Sequence, residues 1–135
     1  MTINPRSHTP VYVQLAELVR ARIESGDLPV GSPLPSEARL GQEYGIGRDA
    51  VRMAIALLRS EGVVSTSKGH GSWVREQHER AKVELTSGSS AIVRMPSSRE
   101  RREMDLDEGV PVIEIRNPKG EVTVLPGDQT ELIRP

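Results

Sequence analysis

The chain has 135 residues, no Cys, no Phe and a single Trp, with a formal net charge of −1. That length suits one domain, or one domain plus an appendage, and it can bury a core that must be largely aliphatic. Without Cys there is neither a disulfide nor a cysteine zinc site, which fits a reducing, cytoplasmic setting, and no long apolar run at the start marks a signal peptide or a membrane span.

Met1 to Thr9 is polar and reads as loose. A first helix is expected from Pro10 to Ser25, capped by Thr9, with Pro10 in its first turn. Val11, Leu15, Leu18, Val19 and Ile23 form its apolar stripe, and Gly26 ends it. Asp27 to Pro33 is a Pro/Gly-rich connection, with Leu28 and Leu34 as core contacts. Ser36 caps a second helix, whose inward side carries Leu40 and Tyr44. Gly45 can take positive φ and end that helix, and Ile46 plugs the turn. Gly47 opens a third helix with Val51, Ala54, Ile55 and Leu58 at the i, i+3, i+4, i+7 positions of a buried stripe. Gly62 stops it. Val63 to Ser67 and Ser72 to Arg75 read as short strands around the basic, flexible loop Lys68-Gly69-His70-Gly71. Helix, tight turn, helix and hairpin together predict a winged helix-turn-helix over residues 1–78.

Glu76 to Ser90 is charged and then Ser/Gly-rich, and the domain boundary is placed inside it, with residues 79–90 as a linker. Residues 91–96 read as a strand and residues 97–105 as a charged helix capped by Ser97 or Ser98. Val110 to Arg116 and Glu121 to Leu125 alternate as strands either side of the turn Asn117-Pro118-Lys119-Gly120. Residues 91–135 thus give a small β-α-β-β segment, and the expected fold class is α+β.

The first half closely resembles the GntR family of bacterial transcription regulators. The marks are Pro10-Val11-Tyr12, Leu34-Pro35-Ser36-Glu37, Tyr44-Gly45-Ile46-Gly47-Arg48 and Val51-Arg52-x-Ala54. Leu57-Leu58-x-x-Glu61-Gly62-Val63-Val64 and Gly69-His70-Gly71-Ser72-Trp73-Val74 complete the set. A lone helix-turn-helix pattern is weak, whereas the turn, the glycine wing and the preceding helix in this order are specific. Ala91 to Arg116 also resembles the opening of the UTRA effector domain of one GntR subfamily, through an Arg-bearing strand, an Arg/Glu-rich helix and Leu106-x-x-Gly109-Val110-Pro111-Val112-x-x-Ile115. A full domain of that kind is much longer and closes a ligand pocket, so the stretch ending at Pro135 corresponds to a truncated version. A dimerisation unit, a remnant of small-molecule effector sensing and an inert tail remain open for it.

The small net charge does not itself suggest a nucleic-acid partner, but its distribution does. Residues 48–75 carry Arg48, Arg52, Arg59, Lys68 and Arg75 against Asp49 and Glu61. A local basic surface suffices for contact with DNA. Arg48, Asp49 and Arg52 lie opposite the apolar stripe of the third helix and must face out. Arg can bond guanine O6 and N7 together, and Asp can accept from the cytosine amino group. Asp49 equally suits a helix first turn, where a carboxylate is favoured by the dipole; Arg48 and Arg52 could pair with it. The family usually has Ser or Thr in place of Asp49, and Arg in place of Ala38, so Arg39 either substitutes for that arginine or is simply exposed. Ser36 is a cap whose surroundings can also meet a phosphate. The resemblance places Lys68, Gly69 and His70 at a wing tip that enters the minor groove, against an ordinary glycine hairpin as the plain reading. Trp73 reads as core rather than as a stacking residue. His8, His70 and His78 lack metal spacing, and no metal or cofactor is expected. Arg99, Arg101 and Arg102 alternate with Glu100 and Glu103 as a solvated i, i+4 face.

These features point to a sequence-specific DNA-binding transcription regulator, a repressor acting as a homodimer on a short inverted repeat in the cytoplasm, associated with the nucleoid. The competing reading is a winged-helix interaction module without DNA affinity, motivated by the near-neutral charge and Ala38. An enzyme is not expected: no Ser/His/Asp, Cys/His or glycine-rich phosphate constellation is present.

Overall fold

Two helices that must bury one stripe each make the head. Helix α1 (Val11–Glu24) contributes Leu15, Ala16 and Val19, and helix α3 (Arg48–Ser60) contributes Val51, Ala54, Ile55 and Leu58, all buried in one cluster. Helix α2 (Glu37–Tyr44) adds Leu40, fully buried, and Ile46 closes the turn between α2 and α3 against the same cluster. In the computed structural model, residues 2–76 and 79–135 are described. The chain forms two compact units, Met1–Glu76 and Gln77–Pro135, and each is taken by itself.

The helix ends follow the local chemistry. Ser36 Oγ accepts from the Arg39 amide at 3.1 Å, and Gly45 leaves α2 in the left-handed region at φ 66°. A residue with a Cβ would pay steric strain there. At α1 the expectation was off. Pro10 occupies the cap position without a side-chain bond. Gln14 instead reaches back from the helix, donating to the carbonyls of Asn4 and Thr9 and accepting from the Asn4 amide, each at 2.8 Å. The N-terminal stretch is therefore tied to α1, and Ile3 packs against the core.

Strands β1 (Val64–Ser67) and β2 (Gly71–Val74) pair antiparallel, with Val64 opposite Val74, both buried. The connection before α2 adds a short third rung: Gly31 N donates to Val74 O, Val74 N to Ser32 O and Leu34 N to Ser72 O, at 2.8–2.9 Å. Pro33 bridges to Trp73 in the same place. Trp73 is only half-buried and lies outside the core cluster, unlike the core position expected of it. This rung holds the start of α2 beside the hairpin.

In the second unit, β4 (Ser90–Arg94), β5 (Val112–Arg116) and β6 (Val122–Pro126) form an antiparallel sheet in that order. Helix α4 (Ser98–Glu103) connects β4 to β5 and starts in a capping box of Ser97 and Glu100. Leu106, Val110 and Val112 form a small core with Met104 and Val124. Two strands were not expected from the sequence. Strand β3 (Ala81–Glu84) lies within the stretch read as linker, and it pairs in parallel with β7 (Thr130–Ile133). Arg80 supports this pairing by donating to the carbonyls of Gly127 and Thr130 at 2.7 and 3.0 Å.

The expected i, i+4 charge face of α4 is only partly formed. Arg99 pairs with Glu103 at 2.9 Å, but Arg101 turns to the carbonyls of Asp107 and Val110. Glu100 leaves the helix surface for Arg94, in a two-pronged pair with both contacts at 2.8 Å, while Arg94 Nε reaches Glu114 at 3.3 Å. The Arg94 bonds, with the Ser97 amide second, hold the Glu100 carboxyl at about 2 instead of its ordinary 4.5. A carboxyl lowered on folding stabilises fully above its unfolded value, and that contribution is lost as pH falls toward the folded value. Unfolding stability of the wild-type chain should therefore drop more steeply between pH 4.5 and about 2 than that of Glu100→Gln. Parallel pH curves for the two proteins would contradict this pair's role.

Candidate nucleic-acid interface

Burial of the α3 stripe decides which side chains can meet a partner. With Val51, Ala54, Ile55 and Leu58 facing inward, Arg48, Asp49, Arg52 and Met53 are all exposed. Arg48 and Arg52 are four residues apart and so are neighbours on one helix face. Gly47 caps α3 without a side-chain bond. The first amides of α3 therefore lack a side-chain partner at the cap, and such amides are suited to an anion.

Arg52 does have a partner, though not the Asp49 considered from sequence. Its Nε donates to Glu37 Oε2 at 3.2 Å, across from α3 to the first turn of α2. Arg52 and Glu37 border a shallow groove whose far side is built by Arg59, Thr66 and Ser72. Thr66 and Ser72 share a hydrogen bond of 2.7 Å between the paired wing strands, and Arg59 Nη1 lies 3.5 Å from Thr66 Oγ1. The groove thus runs from the start of α2, over α3, to the hairpin. Arg59 is seven positions from Arg52, two helical turns along the same face. That spacing makes Arg59 findable from sequence. The Glu37 contact, between two helices, gives no such signal.

The wing tip is formed by exposed Lys68, Gly69 and His70. Gly69 and Gly71 both take positive φ, 85° and 69°, so this turn needs glycine at two places. Its tip then carries only the Lys68 and His70 side chains. Ser36 is exposed but its oxygen already serves the cap of α2. Arg39 is exposed and borders a different depression, with Arg22, Pro35, Gln42 and Glu43, so it does not share the Arg52 groove. In that depression Arg22 is held by Asp27 at 2.8 Å, a bond that raises its pKa further above the ordinary arginine value. His78 lies outside the described residues. Among the described residues, no group of His, Asp and Glu is arranged to hold a metal ion.

The architecture of the head, three helices and a hairpin wing with a basic outer face on α3, defines a winged helix-turn-helix domain. Residues 11–74 match the family described as bacterial regulatory proteins, gntR family, so the head carries the helix-turn-helix domain of that family. Over 88 residues it is 39% identical to the HTH-type transcriptional repressor NagR of Bacillus subtilis (strain 168), covering 64% of this chain and 36% of that protein. The chain thus spans about a third of the length of the curated relatives it matches. The crystal structure of the DNA-binding domain of AraR in complex with operator ORX1 is 30% identical, with a TM-score of 0.50, over 55% of this chain and 92% of that one. A crystal structure assigned to a GntR-family transcriptional regulator is 26% identical, with a TM-score of 0.51. It covers 84% of this chain and 56% of the other, so that likeness extends beyond the head.

If this face meets DNA, Arg52 on α3 and Lys68 on the wing make separable contributions. On any duplex the chain selects, Arg52→Ala should cost about 1–3 kcal/mol of discrimination at one base position, whereas Lys68→Ala should weaken all duplexes alike and reduce the salt slope by about 1. Competition binding across single-base variants at several salt concentrations measures both. An Arg52→Ala protein with unchanged base preference would remove Arg52 from the reading set.

Proposed function

We propose that the chain is a sequence-specific DNA-binding transcription regulator that acts as a repressor and binds a short inverted repeat as a homodimer. In this reading α3 lies in the major groove. Arg48 and Arg52 read bases, with Asp49 beside them in the first turn. The wing tip, Lys68, Gly69 and His70, enters the minor groove, and Ser36 and Arg39 at the start of α2 meet the phosphate backbone. The observation that carries the reading is the outward face of α3. Arg48, Asp49 and Arg52 are all exposed on a helix whose other face is locked into the core. The operator complex of the AraR domain supports the DNA partner, and the repressor name of NagR supports the direction of control. Such a regulator would work in the cytoplasm on the nucleoid, and no helix among the described residues is long and apolar enough to cross a membrane.

The second unit, Gln77–Pro135, is proposed as the dimerisation unit. Strand β4 is an edge of its sheet and exposes Ile92 (53%) and Val93 (70%), with Met95 (57%) just beyond. An apolar edge of this kind favours pairing with another strand, which supports self-association over effector sensing or an inert tail. Two-fold pairing of the copies would match a two-fold operator.

Selection from a random duplex pool tests the whole reading. A palindromic winner whose binding weakens steeply with salt is expected. Val93→Asp should then sediment as a monomer and prefer single half-sites. No enrichment at low salt would instead favour an interaction module, and a Val93→Asp dimer would remove β4 from the interface.

A further inference from the structure

Glu37 stands where a DNA reader should not want it. It is an exposed carboxylate at the first residue of α2, on the rim of the groove that α3 and the wing enclose. A bare negative charge there would repel phosphates. Its surroundings, however, give it a defined position. Ser36 caps α2, Leu34 N is bonded to Ser72 O at 2.9 Å, and Leu40 is fully buried one turn further on. Arg52 is equally fixed at its base, between buried Val51 and Ala54 with Ile55 beyond them. The two side chains therefore meet from rigid elements, and Glu37 Oε2 takes the Nε of Arg52 at 3.2 Å. Among the described residues, Nη1 and Nη2 of Arg52 carry no hydrogen bond.

We infer that Glu37 is a positioning residue for sequence readout: by engaging Arg52 at Nε, it leaves only the end-on Nη1/Nη2 fork to face a base, and this selects guanine. The chemistry follows from the guanidinium plane. A carboxylate on one edge fixes the orientation of that plane, and the remaining pair of N–H groups matches the O6 and N7 acceptors of guanine. The carboxylate also penalises approach to DNA wherever Arg52 has no guanine to satisfy, because its charge then faces the duplex incompletely matched. Glu37 would thus trade general affinity for discrimination. The plain alternative is an acid that merely favours the α2 dipole.

The inference rests on α3 facing DNA, and its test separates the two. The full chain and its Glu37→Gln variant are each taken through selection from a random duplex pool. Binding to the selected site, to its single-base variants and to an unrelated duplex is then measured. Glu37→Gln keeps the length and an acceptor but removes the charge. The expected result is a loss of about tenfold in preference for guanine at one position, with affinity for the unrelated duplex kept or raised. In an Arg52→Ala background, Glu37→Gln should have no further effect on that preference. Equal guanine preference in the variant, or an equal loss in the Arg52→Ala background, would overturn the inference while leaving the DNA reading intact. A uniform loss on all duplexes together with a lowered melting temperature would assign Glu37 to the helix dipole alone and overturn it too. A wild-type chain that enriches no sequence would overturn both.

Discussion

The packing of α1 against α3 is the constraint on which the head depends. Leu15 and Val19 from one helix and Val51, Ile55 and Leu58 from the other exclude water around a common axis. Burying aliphatic side chains of this size contributes about 1.5–3 kcal/mol each, while the exposed side chains of α3 contribute little to folding. A helix of 3.6 residues per turn cannot bury that stripe without turning positions 48, 49, 52 and 53 outward. Presentation of the arginines is therefore a by-product of core formation, and substitutions on that face can change a binding site without unfolding the head. The rung from Gly31 to Leu34 extends the same logic to the wing, since it fastens the start of α2 to β2.

The second unit is built on different terms. Its core of Leu106, Val110 and Val112 is small, and polar geometry does much of the organising. Arg94 ties β4 to both α4 and β5 through Glu100 and Glu114, and Arg80 ties the approach to β3 to the carbonyls around the β6–β7 turn. Charge-assisted, two-pronged contacts of this kind fix geometry strongly, although partly exposed pairs add little net stability. A unit of this sort gains from burying its apolar edge against another surface.

Much of the head was legible because its signals are local. Gly45, Gly62 and the wing glycines mark places where positive φ is required, and the α1 and α3 stripes repeat at helical spacing. Ser36 is followed at once by the helix it caps. What could not be read depends on contacts between distant residues. Strands β3 and β7 are four residues each, carry Lys82, Glu84 and Glu131, and pair in parallel across nearly fifty residues; their alternation is too short to register. The bridge from Pro33 to Trp73 is likewise long-range, and the link from Gln14 back to Asn4, ten residues away, is a side-chain contact that no periodicity marks. In the candidate site, the outward placement of Arg48, Asp49 and Arg52 follows from periodicity and the exposed wing turn from its glycines, while their assignment to DNA rests on the family resemblance. The Glu37–Arg52 pair did not, because two helices joined by a turn set that distance.

The proposed function depends on the outer face of α3 and the wing meeting DNA. Backbone amide shifts, followed by NMR while the isotope-labelled full chain is titrated with its selected duplex, test it most directly. The largest changes are expected at residues 36–39, 47–53 and 67–72, with the core of the head and β3 to β7 little affected. Largest changes within residues 81–135, or a head whose amides stay unmoved while the duplex is bound, would contradict it.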